Sequence, residues 1–150
     1  MTRLEHSVQI DRPLSEVYSL ATQVDRYPEF LPGYLESRVI DRRNGDLLLE
    51  RKALIKGKIR QWRSWARFSP AEAIHFEHAE GPLKGMQVKW LFTAMSSHRT
   101  QLKIIHHFPH FRVFSLAWIR EKFIYRAGVN KMATQVVQSF KKACEGVRVH

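Results

Sequence analysis

The spacing of apolar and polar positions changes period twice along the chain. Residues 3–11 (RLEHSVQID) place Leu4, Ser7 and Ile10 in a short strand-like run. Leu14, Val17, Leu20 and Ala21 then follow a helical spacing. Pro13 suits the first turn of that helix, where a missing N–H costs little. Next comes Tyr27-Pro28-Glu29-Phe30-Leu31-Pro32-Gly33-Tyr34, with two prolines, one glycine and three aromatics in eight residues. It admits one short helical turn at most. Turns normally keep polar company, so this much apolar surface marks a wall or lid against which something apolar rests.

A series of strands is expected over 34–41, 47–56, 58–68, 73–79, 88–94 and 100–108. Their breaks are Asn44-Gly45, Gly57, Ser69-Pro70, Gly81-Pro82 with Gly85, and Ser96-Ser97-His98. Asn-Gly is the strongest short hairpin signal, because both central residues need positive φ. The tail returns to helical spacing. Leu116, Ile119, Phe123, Ala127, Asn130, Ala133, Val137, Phe140 and Cys144 recur every three or four residues. Arg120, Lys122, Lys131, Lys141 and Lys142 fall opposite, and Gly128 in mid-helix marks a place where a small residue is wanted.

These elements describe an α+β domain spanning 1–150: one strand, short helices, antiparallel strands and a long terminal helix. One apolar helix face covers one face of a sheet. A curved sheet around a long helix leaves a gap between them, and ligands occupy such gaps. Period 2 then nominates the side chains facing it. Arg60, Trp62, Ser64, Ala66 and Phe68 share one face; Ile74, Phe76 and His78 another. Val88, Trp90, Phe92 and Ala94 make a third, and Leu102, Ile104, His106, Phe108 and His110 a fourth. Aromatics alone would read as core. Arg60, Ser64, His78, His106 and Asn130 on the same inward faces each need a partner if buried, and so point to a cavity.

A net charge of +11 adds a second theme. Residues 38–67 carry ten Lys/Arg against three Asp/Glu, and residues 112–150 eight against two. Such segments are either solvated faces or contacts for an anionic membrane, an acidic carrier protein or RNA. A single cysteine, Cys144, rules out an internal disulfide. His106, His107 and His110, with His75 and His78, look suggestive of a metal site, but His107 points away from His106 and His110, and no carboxylate or cysteine sits near those two in sequence, so neither metal nor cofactor is expected. No GxSxG, Gly-rich phosphate loop or dinucleotide motif occurs. The first residues are charged and lack an apolar leader core, so a cytoplasmic protein is expected, peripheral to a membrane if its basic face meets lipid.

YPEFLP, the strand series, His78-Ala79-Glu80-Gly81-Pro82-Leu83-Lys84, Trp90-Leu91-Phe92 and the long terminal helix occur in that order. Together they resemble the START-like polyketide cyclase/dehydrase superfamily. The similar branches are the coenzyme Q-binding START proteins, their ribosome-association-toxin relatives, and the polyketide aromatase/cyclases. The resemblance implies a helix-grip fold, with seven antiparallel strands around the long helix and a deep pocket between. It implies that YPEFLP lies near the pocket entrance, with its aromatics lining or gating it.

In aromatase/cyclases a tyrosine and an arginine are proposed to act on the polyketide. Tyr34 matches the tyrosine, and Trp62 and Ser64 match pocket residues. Ala66 stands where the arginine belongs, and Arg67 points to the other face; Arg60, on the face of Trp62, is the candidate substitute.

Three functions follow as expectations. The first is binding of a quinone, lipid or aromatic molecule by Tyr27, Phe30, Tyr34, Trp62, Ser64, His78, Trp90, Phe92, Phe108, Phe123 and Asn130. The second is polyketide cyclisation, with Tyr34 as proton donor, Arg60 as oxyanion stabiliser and His106 as base. The third is a ribosome-directed, toxin-like role.

Overall fold

The computed structural model describes residues 3–109 and 116–146, with side chains of the last helix from residue 123 onward. His110 and the side chains of Leu116, Ile119, Arg120 and Lys122 therefore lie outside the described residues.

Strand β1 (Arg3–Ile10) leads into helix α1 (Leu14–Ala21), a 3-10 turn (Val24–Arg26) and a single helical turn α2 (Tyr27–Phe30). Six strands follow: β2 (Tyr34–Arg43), β3 (Asp46–Ile55), β4 (Lys58–Ser69), β5 (Ala73–Glu80), β6 (Gln87–Ser96) and β7 (Arg99–His107). Helix α3 (Leu116–Glu145) closes the order. The strands form one antiparallel sheet ordered β1-β7-β6-β5-β4-β3-β2. Because β1 and β2 are the two edges, the segment containing α1 and α2 must carry the chain from one edge to the other. This is the helix-grip architecture that the family resemblance implies.

Two local details differ from the sequence reading. Pro13 is the residue before the helix, with extended backbone, and Leu14 is the first helical residue. In β1 the inward side chains are Leu4, His6, Val8 and Ile10, while Ser7 pairs outward with Lys103. Strict alternation overrides the three-residue spacing of Leu4, Ser7 and Ile10. Asn44 and Gly45 both have positive φ, +51° and +87°, as their hairpin requires.

Helix α3 packs over β1, β3 and β7. Its C-terminal end is tied to the β1–α1 turn. The Asp11 N–H donates to Glu145 Oε2 at 2.7 Å, Arg12 Nη2 to the Glu145 carbonyl at 2.6 Å, and Lys141 Nζ to the Gln9 carbonyl at 2.7 Å. The buried stripe is Val129, Ala133, Val136, Val137 and Phe140. Phe123, 66% exposed, and Asn130 lie outside that stripe. The steps from Phe123 to Phe140 average fewer than 3.6 residues, so on a straight helix the series drifts off the buried side.

Candidate functional site

Between sheet and helix lies a narrow, slot-like cavity of about 80 Å³. That volume is below the roughly 300–1,000 Å³ of drug-sized ligand sites.

The sheet supplies the floor. On β3, Arg51 and Ile55 face inward; on β4, Arg60, Trp62 and Ser64; on β5, Phe76 and His78. β6 and β7 add Val88, Trp90, Ile104 and His106. A shift in strand pairing after Arg63 puts His78 directly across from Ser64. Trp62 lies flat against His78, with ring centroids 5.5 Å apart and planes 11° from parallel. The loop after β5 contributes Pro82, Leu83 and Met86. It folds back through Gly85 N–H to the His78 carbonyl, 2.8 Å, and His78 N–H to the Met86 carbonyl, 2.9 Å. Gly81, at φ +116°, is required there, because a Cβ would stand 2.7 Å from Trp62 Cβ. Helix α3 forms the roof with Tyr125, Val129, Met132, Ala133 and Val136.

Of the residues predicted to act chemically, Tyr34, Arg60 and His106 all line this cavity. Trp62, Ser64, His78 and Trp90 line it too. Tyr27, Phe30, Phe92 and Phe108 are placed behind its wall. Tyr27 is fully buried, stacks on Trp90 at 5.5 Å and donates to the Ala21 carbonyl at 2.7 Å. Phe30 meets Phe140 at a tilt, and Phe92 meets Tyr18 edge to face. The YPEFLP segment therefore backs the cavity instead of gating it; only the following Tyr34 reaches the lining. Phe123 is exposed, and Asn130 Oδ1 accepts from His6 Nε2 at 2.8 Å on the helix flank. Neither reaches the cavity, because both belong to the part of the apolar series that drifts off the buried face.

Arg51 was not among the predicted residues. It is 3% exposed, donates from Nε to Ser37 Oγ at 3.1 Å and from Nη2 to the Val24 carbonyl at 3.3 Å. The alternation Leu49, Arg51, Ala53 was the available signal, since both neighbours on that face are fully buried. A charged residue in a basic strand reads by default as solvent-facing. Its guanidinium lies 4.9 Å from the ring of Phe76, the cross-strand partner of Ala66. Arg60 sits nearer solvent, over the Tyr125 ring at 5.3 Å.

Burial, then His106 and Arg51, push His78 down to about 3; burial, then His6 and His107, do the same to His106, also about 3. Both imidazoles are therefore neutral near pH 7. A base with so low a pKa has little drive to accept a proton, so His106 serves as a hydrogen-bonding group more readily than as the base. His78 Nδ1, His106 Nδ1 and Ser64 Oγ are buried without a partner inside the protein.

Comparison with known proteins places this geometry. Residues 10–140 match the family model described as polyketide cyclase / dehydrase and lipid transport. The chain belongs to that family. One member of known name, the granaticin polyketide synthase bifunctional cyclase/dehydratase of Streptomyces violaceoruber, is 28% identical over 109 residues, 71% of this chain and 34% of that protein. The chain thus spans about a third of that relative. The ribosome association toxin RatA of Vibrio cholerae is 21% identical over 147 residues, 98% of both chains. Among solved structures, the Zhui aromatase/cyclase of Streptomyces sp. R1128 superposes with a TM-score of 0.88 at 19% identity, covering 96% of this chain and 93% of that one. The fold is thus common ground with that aromatase/cyclase.

Proposed function

We propose that the cavity binds a hydrophobic, oxygenated small molecule of the polyketide class and holds it folded for ring closure or dehydration. The observation that carries this reading is the composition of the slot. Its walls are aliphatic and aromatic, yet Tyr34, Arg51, Ser64, His78 and His106 all open onto it. Apolar walls hold a flexible chain compact, so reacting carbons meet without an entropic search. Donors aimed at carbonyl oxygens stabilise the enolate or alkoxide that forms. Tyr34 is the proton donor in this scheme, and Arg60 stands at the mouth. The family match and the aromatase/cyclase neighbour support it.

Mass spectrometry of an organic extract from native protein is the first test, followed by turnover of a carrier-bound polyketide. Recovery or cyclisation of a polyketide is the expected result. A stoichiometric quinone or lipid with no turnover would replace the enzyme reading with carriage alone. Full turnover by a Tyr34→Phe/Arg60→Ala variant would remove both residues from the mechanism.

A second reading rests on the toxin match across 98% of both chains and on the basic segments. It requires ribosome co-sedimentation that weakens steeply with salt. Salt-insensitive or absent co-sedimentation would dismiss it. Lys56 and Lys58, in the turn beside the cavity residue Ile55, are where an acidic carrier protein or anionic membrane would meet the chain.

A further inference from the structure

Arg51 is a buried cation without a counter-charge. Both of its hydrogen-bond acceptors, Ser37 Oγ and the Val24 carbonyl, are neutral. It takes part in none of the ion pairs formed among the described residues. The faces of Tyr27, Tyr34 and Phe76, 4.9, 5.2 and 4.9 Å from its guanidinium carbon, soften the cost of burial but bring no net charge. Around the same slot, Ser64 Oγ, His78 Nδ1 and His106 Nδ1 are unpartnered within the protein. A buried positive charge and three unmet polar atoms on one wall describe the complement of a ligand more closely than they describe a core.

We propose that Arg51 binds an anionic oxygen of the ligand, a carboxylate, enolate or phenolate, so that the pocket selects acidic ring compounds over neutral lipids. Ser64, His78 and His106 then receive the ligand's remaining oxygens. This rests on the reading of the slot as a small-molecule pocket and adds the ligand's charge to it. A purely architectural Arg51, tying the Val24 carbonyl to β3, would leave binding indifferent to that charge. Arg60 also lines the slot, but it sits at the wetter end, where a charge attracts less strongly.

Isothermal titration calorimetry with 2-naphthoate and its methyl ester separates these accounts, since the two share a flat ring system and differ in charge at pH 7. The wild-type chain is expected to bind the acid at least about tenfold more tightly than the ester, the worth of one charge-assisted hydrogen bond. Arg51→Met is expected to abolish the preference while still binding the ester, and Arg51→Lys to keep part of it. Equal affinities in the wild type would overturn the proposal. So would a preference that survives in Arg51→Met, which would assign it to Arg60. Binding of neither compound would overturn the pocket reading itself. The wild-type comparison needs no variant, so the test stands even if circular dichroism shows Arg51→Met misfolded.

Discussion

His78 and His106 make stability depend on pH. Their folded values, about 3, lie below the ordinary 6.5, so the unfolded chain binds the extra protons. Their contribution is complete above about pH 6.5 and is lost as pH falls toward 3. Urea unfolding at pH 7.5 and pH 5 should differ by about 1–2 kcal/mol per histidine, shared equally between His78 and His106 because both folded values lie well below pH 5. A His78→Gln/His106→Gln variant should flatten this dependence. An unchanged slope in that variant would place the acid sensitivity elsewhere. Tyr27 offers a second check, because its hydroxyl donates to the Ala21 carbonyl inside the core. Tyr27→Phe should cost about 1–2 kcal/mol, measured by the same unfolding experiment. At this scale the sequence was read well where side chains alternate on β4, β5, β6 and β7. It was read poorly at Arg51, whose charge masks an inward position.

Among elements, the contact between α3 and β3 is the tightest constraint. A Cβ at Gly128 would stand 2.6 Å from Ile55 Cγ2, a branch close to the backbone with little room to move. Gly128→Ala should therefore forgo the roughly 1 kcal/mol that alanine adds to a helix and lower the melting temperature. Adding Ile55→Ala should restore part of the loss, a coupling that a thermal-melt double-mutant cycle reads directly. Additive effects would show that the helix does not press on Ile55. The need for a small residue was legible from the mid-helix glycine; its partner was not, because spacing says nothing of what a helix meets. The YPEFLP segment gives the same lesson. Its apolar character marks burial, but whether it gates or backs a cavity depends on elements far away in sequence.

For the whole molecule, much of the basic surface is already answered. Of the ten Lys/Arg in residues 38–67, Arg38, Arg43, Lys52, Arg63 and Arg67 form ion pairs and Arg51 is buried. Glu50 alone accepts from Arg38 and Arg63. Such surface pairs add little stability each, but they reduce the charge offered to an anionic partner. No helix among the described residues is long and apolar enough to cross a membrane. Ligand binding acts on the whole fold, since slot residues come from β2 to β7 and α3. A ligand at one hundred times its Kd should raise unfolding free energy by about 2.7 kcal/mol, read as an upward shift in melting temperature. Binding without any shift would mean that the ligand has no preference for the folded chain.

Local rules acting over a few residues were enough to determine the elements. Alternation, helical spacing and the Asn44-Gly45 turn located every strand and helix to within a few residues, because each depends on near neighbours. They also brought Arg60, Trp62, Ser64, His78, Trp90 and His106 to inward faces, while Tyr34 was a candidate through the family resemblance alone. What the tertiary structure alone decided is which inward residues meet empty space and which meet other side chains. Tyr27, Phe30, Phe92 and Phe108 are inward and packed; Arg51 is inward and open to the slot. That division depends on how a curved sheet and a straight helix diverge, a property of two surfaces far apart in the chain.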